Sequence, residues 1–355
     1  MNIARHMLVL AMAGSGLMLG ACSDRSASQA PAPAGSSPAT GTTSAPARTG
    51  TVAAGADTAT PGGTDTAAAG ATSAAPTWAD DAKPVKGAFR PPSEEQIPQG
   101  KFGDMVRKGR DIFLHTADNA GEYAGNDLNC SNCHLDAGRR ADSAPMWAAW
   151  VRYPRYRSKN DKVNTFTERL QGCFQFSMNG KAPPADSEVI KALSTYAYWL
   201  ATGVPTGMDM EGFGYPKQGY EPPEKPDYER GKKVFAKSCA MCHGNDGQGQ
   251  KVAGEYVFPP LWGPESFNWG AGMHQLNNAA AFIKANMPLS RGGTLSDQEA
   301  WDVAMYMDSH ERPQDPRFEG DIAATRKQYH DTKWSLYGTE VNGHMLGQGT
   351  SGADK

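Results

Sequence analysis

Two five-residue strings decide the fold: "CSNCH", Cys130–His134, and "CAMCH", Cys239–His243. C-x-x-C-H is the pattern that attaches haem c: two thiols form thioethers with the haem vinyl groups, and the adjacent histidine binds the iron. One copy alone could be half of a zinc site. Two copies, each inside a matching frame, point to two covalently bound haems, held by Cys130, Cys133 and His134 and by Cys239, Cys242 and His243.

The frame repeats outward from each motif. "GRDIF" (Gly109–Phe113) precedes the first and "GKKVF" (Gly231–Phe235) the second, each reading as a helix with a glycine before an apolar pair. After each motif comes a methionine in a loop rich in Gly, Pro and Asn, then an amphipathic helix. In repeat one that helix carries Val189, Ile190, Leu193, Tyr196, Ala197 and Leu200 on one face. In repeat two, Ser296 and Glu299 form a capping box, and Ala300, Val303, Ala304 and Met307 form the buried stripe. Gly203 and Pro205 stop the first helix, and Pro313 follows the second. This order resembles the class I cytochrome c fold. The expected architecture is mainly α, with two tandem haem domains at 77–214 and 228–312 joined by the Pro-rich linker 215–227. The tail, 313–355, is polar with Trp334 and Tyr337 near its middle, and reads as a strap over the domains or a loose end.

Each iron needs a second axial ligand. Met287, before Pro288 in the loop ahead of the last helix, suits the second: a thioether is soft and neutral, and raises the potential. Met273, His274, Met305 and Met307 are rivals, of which the last two lie on a helix and read as core. For the first iron the sequence offers two sulfurs. His243 to Met287 and His134 to Met178 are both 44 positions apart, so periodicity favours Met178. Cys173 lies five residues earlier and is the one thiol left once four cysteines hold haem and Cys22 is assigned to the leader. A free thiol in an oxidising compartment is a mispairing hazard, easier to understand as an iron ligand or nucleophile than as a small buried hydrophobe. Between Arg139 and Arg169 stand eight basic residues against Asp142, Asp161 and Glu168. Such an excess attracts small anions and favours a thiolate.

"CSNCHLDAGRR", "YPRYRSKNDKVNTFTERLQGCFQFSMNGK" and "NMPL" together resemble the thiosulfate dehydrogenases, dihaem cytochromes that also act as tetrathionate reductases. The similarity covers roughly Pro98 to Pro313. It implies that haem one is the active site with His134 and Cys173 on its iron, Met178 being the alternative, and that haem two carries His243 and Met287. It matches Arg169, Ser177, Lys159 and the neighbouring Arg157 to active-site groups. Two departures stand out: Phe176 occupies a place where a basic residue is common, and Asn286 precedes Met287 where some members have a lysine. The implied reaction oxidises two thiosulfates to tetrathionate and passes electrons to a small periplasmic acceptor protein. The alternative is a membrane-tethered dihaem electron carrier without its own substrate, which predicts methionine on both irons. A subunit like the cysteine-ligated cytochrome of the multienzyme thiosulfate oxidation system is a third reading.

The rest of the chain concerns address. Residues 1–21 read as a signal peptide, ending in Leu19-Gly20-Ala21-Cys22, which resembles a lipobox and implies lipidation of Cys22. A tether at 22–76, rich in Ala, Thr, Ser, Gly and Pro, cannot bury enough apolar surface to order itself; its reach is roughly 40 Å. The expectation is a body held by a lipid anchor at the periplasmic face of the cell membrane or outer membrane. A formal net charge of −3 over 355 residues argues against nucleic acid as partner.

Overall fold

The computed structural model describes residues 89–157, 160–216 and 220–350, all within the unit Ala71–Lys355. The leader, Cys22, the tether and Lys159 lie outside the described residues. The first repeat runs α1 (Lys101–Leu114), α2 (Thr116–Ala120), α3 (Leu135–Gly138), α4 (Met146–Val151), β1 (Arg155–Arg157), β2 (Lys162–Asn164), α5 (Phe166–Gly172) and α6 (Glu188–Leu200). The second runs α7 (Tyr228–Ser238), α8 (Ala240–His243), β3 (Gln250–Val252), β4 (Glu255–Phe258), α9 (Leu276–Asn286) and α10 (Asp297–Asp308). The tail adds α11 (Ile322–Tyr329), β5 (Glu340–Val341) and β6 (His344–Met345). The strands pair only as antiparallel hairpins, β1 with β2, β3 with β4 and β5 with β6. The fold is mainly α, as the sequence implies.

The frame glycines are the crossing points of the two helix pairs. A Cβ on Gly109 of α1 would stand 2.1 Å from the Ala192 carbonyl oxygen of α6. A Cβ on Gly231 of α7 would stand 1.9 Å from that of Asp302 in α10. Only a residue without a side chain lets these backbones approach so closely. The aromatic residue one turn on completes both crossings: Phe113 meets Tyr196 at 5.8 Å and Phe235 meets Tyr306 at 5.2 Å between ring centroids. Each repeat thus has its own core, one around Ile112, Trp147 and Leu193, the other around Phe235, Ala279 and Trp301.

Helix starts follow the side chains that cap them. Ser296 accepts from the Glu299 N–H and Glu299 reaches back to the Ser296 N–H, the expected capping box. Thr165 and Glu168 do the same for α5. The apolar stripe of α6 is buried as read, with Val189 at its half-exposed edge. In α10 the expected stripe is buried, but Trp301, Asp302, Tyr306 and Asp308 are buried too. The second face is covered from three sides. Tyr220 of the linker stacks on Trp301, Trp334 of the tail packs on it at 5.0 Å, and Arg230 binds the Asp302 carboxylate at 2.7 Å.

As far as residue 350 the tail is a strap. Tyr337 and Leu346 are buried against Trp269 of the second repeat. A buried polar chain fixes it: His274 Nε2 to His330 Nδ1 (3.1 Å), His330 Nε2 to Asp315 (2.9 Å), and Asp315 to the Arg317 guanidinium (2.6 Å).

Candidate active site

Both motifs fold as the same tight turn. The N–H groups of Cys133 and His134 donate to the Cys130 carbonyl (3.3 and 3.0 Å), and those of Cys242 and His243 to the Cys239 carbonyl (3.1 and 2.9 Å). Each motif histidine is fixed through Nδ1, which faces the Ala144 carbonyl at 2.7 Å for His134 and the Pro259 carbonyl at 2.9 Å for His243. A carbonyl can only accept, so Nδ1 carries the proton and Nε2 is left as a free lone pair, the arrangement of a metal-ligating histidine. Burial pushes His134 down to about 4 and lowers His243 as well, keeping both rings neutral. Burial raises Cys130 to about 12, and Cys133 and Cys239 to about 11. Neutral, unpaired thiols suit covalent thioether attachment. The residues present therefore fit two haem c groups.

The larger cavity, about 380 Å³, is lined by Cys239, Cys242, His243 and Met287. Met287 follows directly on the last residue of α9. Cys133 of the first motif lies on the same wall, so the two haem sites adjoin. Met273 and Met307 also reach this wall, whereas His274 is buried in the polar chain of the tail. Asn286 donates to the Asp142 carbonyl of the first repeat (2.9 Å), which ties the residue before Met287 to the other repeat.

A smaller cavity of about 140 Å³ has His134 and Cys173 on one wall system together with Arg152, Arg155, Arg169 and Tyr153. Cys173 follows directly on the last residue of α5, as Met287 follows α9. Met178 is 3% exposed, sits in the core of the first repeat and does not line this cavity. The Coulombic interaction with Cys173, ahead of the opposing effect of burial, raises the Arg169 guanidinium. Burial, and next the like charge of Arg169, lower Arg157. Arg155 and Arg157 alternate with the exposed Tyr156 on β1 and so share its inner face. Ser177 is off the cavity wall; its carbonyl is taken by Asn126 Nδ2 at 3.2 Å.

In the sequence Arg152 and Arg155 are two members of a basic cluster that nothing local distinguishes from the rest. Arg152 is held in place by Asp209, with Nη2 donating to Oδ2 at 3.2 Å, and by the Phe213 ring at 4.3 Å. Asp209 comes from the segment after α6, 57 residues away, and no local signal links the two. Tyr215 opens the expected linker, 215–227. It is raised by burial, with Cys133, Arg169 and Cys173 in its field, which sets it beside the first site.

The SoxA/TsdA cytochrome c domain family matches residues 117–206, and the family of cbb3-type cytochrome c oxidase subunit III matches 226–307. The thiosulfate dehydrogenase of Stutzerimonas stutzeri is 57% identical over 273 residues, 75% of this chain and 89% of that one. The enzyme of the same name from Thiomonas intermedia is 60% identical over 259 residues, 73% and 82% of the two chains. The solved thiosulfate dehydrogenase (TsdBA) from Marichromatium purpuratum superposes with a TM-score of 0.71 at 51% identity, covering 74% of this chain and 58% of that longer one. A match of 273 residues cannot fit into this chain without including both haem motifs, so the similarity runs through both domains, and the chain belongs to the thiosulfate dehydrogenase family.

Proposed function

We propose that this chain oxidises two thiosulfate ions to one tetrathionate at the smaller cavity, and that the adjoining second haem site would be the exit for electrons toward a small periplasmic acceptor protein. The observation that carries the reading is that Cys173 and His134 share one cavity walled by arginines. In this reading His134 and Cys173 would hold the first iron and His243 and Met287 the second, with Cys130, Cys133, Cys239 and Cys242 as the thioether anchors. The domains would span 77–214 and 228–312. When bound, the haems supply one-electron acceptance at two adjoining sites.

The residues account for the rest. Two dianions must meet, and Arg152, Arg155 and Arg169 on the wall offset their repulsion; guanidinium forks suit sulfonate oxygens. Arg157 adds to the same field, and Lys159, two residues beyond it, is a further candidate. Ser177 would contribute only through a shift of its turn. The Cys173 thiolate bonds to the sulfane sulfur of the first thiosulfate, giving a Cys–S–S–SO₃⁻ adduct and releasing two electrons. The second thiosulfate attacks the outer sulfane sulfur. The Cys173–S bond breaks, tetrathionate leaves, and the thiolate is restored, so no proton is consumed. A thiolate on one iron and a thioether on the other would make transfer from first to second downhill.

No helix among the described residues is long and apolar enough to cross a membrane. Attachment would instead be through lipidated Cys22 and the tether 22–76, at the periplasmic face. The functional test is a thiosulfate–ferricyanide assay with tetrathionate detection, run in both directions, on the wild type and Cys173→Ala. The wild type should form tetrathionate and the variant should lose turnover. Full activity without the thiol would end the covalent reading.

A further inference from the structure

Cys173 opens a turn that a regular helix does not make. α5 ends at Gly172, and Cys173–Ser177 continues as a π-helical turn in which the Met178 N–H reaches the Cys173 carbonyl at 3.0 Å. Such turns are rare and concentrate at functional sites. The wider turn breaks the helical ladder, so its carbonyls need partners from elsewhere. Each one has a partner. Phe174 accepts from the Gly180 N–H (2.9 Å), Ser177 from Asn126 Nδ2 (3.2 Å) and Met178 from the Gly125 N–H (2.8 Å). The two in the middle are bound from the other haem domain. Gln175 accepts from Asn268 Nδ2 at 2.9 Å, and Phe176 from the Asn268 N–H at 3.2 Å and more weakly from the local Asn179 N–H at 3.4 Å.

Asn268 is 1% exposed and its side chain is fully committed: Nδ2 also donates to Asn179 Oδ1 (3.1 Å), and Oδ1 accepts from the Gly270 N–H (3.0 Å). Asn126 bridges the same two segments, donating to Ser266 as well as to Ser177. A Cβ on Gly270 would stand 2.4 Å from the Phe176 ring, and Arg317 of the tail lies over that ring at 5.0 Å.

We propose that Asn268 is a positioning residue for the first haem site: from the second domain it fixes the π turn and thereby holds the Cys173 sulfur on the first iron. The inference rests on Cys173 being that ligand. It gives the second domain a role beyond carrying electrons, because the first site is then complete only when the two domains are docked. It also gives Phe176 a use, as the apolar surface that Gly270 and Arg317 grip.

The test uses the full-length protein loaded with both haems, as wild type, Asn268→Ala and Asn268→Asp. Aspartate keeps the shape and the Gly270 bond, but puts an acceptor where Gln175 and Asn179 need a donor. Paramagnetic resonance of the oxidised protein reads thiolate ligation at haem one, the methionine charge-transfer band of haem two is the internal control, and amide exchange at Met178 and Gly180 reports the turn. In both variants the thiolate signal should fall by at least half, exchange at both amides should quicken, and kcat should drop at least ~10-fold with KM within ~2-fold, since small misplacements of reacting groups cost up to ~100-fold. The haem-two band should stay. If the alanine variant does not take up haem, the aspartate variant is read in its place. A wild-type thiolate signal and kcat in either loaded variant overturns the proposal. A wild type without a thiolate signal would instead remove the ligand assignment beneath it.

Discussion

Replacing Asp209 by asparagine should weaken the fold and tighten substrate binding at once. Asp209 has a side chain 6% exposed and grips the Arg152 guanidinium through both carboxylate oxygens. Burial pushes this carboxyl up against the pull of Arg152 and then Arg155, so the charge is held at a cost. Asparagine keeps the shape but removes the charge and one strong acceptor. Breaking a buried pair from one side can cost ~3–5 kcal/mol. The Arg152 side chain is 21% exposed and keeps part of its hydration. The lower figure for a lost charge-assisted bond, about 2 kcal/mol, therefore applies. For a domain of this size that is about 4–8 °C in Tm. The cavity meanwhile gains one net positive charge on the wall where a dianion must bind. In a partly solvated site that is worth about 1 kcal/mol, a roughly fivefold fall in KM at low salt. The difference should shrink as added salt screens it. Thermal unfolding of the holoprotein and steady-state thiosulfate oxidation over a range of ionic strength measure both. A raised KM, or one indifferent to salt, would mean that Asp209 serves the cavity by aiming Arg152 and not by limiting its charge.

Met178→Ala should cost about 2–4 kcal/mol, because the side chain is buried in the core, yet leave the oxidised haem-one spectrum unchanged; a large spectral change would move the ligand to the methionine. In a free helix Gly→Ala stabilises by up to ~1 kcal/mol. Gly231→Ala should instead destabilise the second domain by ~3 kcal/mol or more, since its Cβ would stand 1.9 Å from the Asp302 oxygen; a stabilised variant would refute the crossing argument. Burial would raise Asp315, but the hydrogen bonds of Arg317 and His330 outweigh it and hold the carboxyl well below the usual carboxylate range. A lowered folded value contributes stability above the unfolded pKa of ~4 and loses it only as pH falls further toward the folded value. Tryptic cleavage after Arg326 or Lys327 should therefore stay slow in the wild type from neutral pH down to about 5, and become fast in Asp315→Asn even at neutral pH. Equal protection of the two proteins would show that the strap does not depend on this ion.

What the sequence displays most clearly is whatever repeats or caps locally. The haem motifs, the Ser296–Glu299 box and the glycine frame all lie within a few residues of the feature they specify. Less legible is what depends on partners far along the chain. The apolar stripe of α10 is a correct reading of one face, but its other face is covered by Tyr220, Trp334 and Arg230, and no period in the helix itself announces them. The Asp209–Arg152 pair is of the same kind. So is the strap, whose burial comes from a chain running from His274 through His330 to Asp315 and Arg317.

The equal spacing of 44 residues from each motif histidine to Met178 and to Met287 does not put the two methionines in like places: Met287 lines a cavity and Met178 lies in the core. Counting residues equates positions only if the intervening segments are alike, and they are not. Repeat one spans the distance with α3, α4, the β1–β2 hairpin and the short α5; repeat two uses the β3–β4 hairpin and the longer α9. Matching by structure, the residue just after the helix is Cys173 in one repeat and Met287 in the other, and both stand on a cavity wall with their histidine. Met178 comes after the additional π turn and is carried into the core by it. The turn thus separates two sulfurs that the sequence sets five residues apart, leaving one at the cavity and the other in the packing. Its own hydrogen bonds are supplemented from the other domain, where Asn268 binds the carbonyls of Gln175 and Phe176. On this reading the difference between a carrier domain and a reactive one lies in a local change of helix type, stabilised at long range, and a free thiol at position 173 is its only mark in the linear sequence.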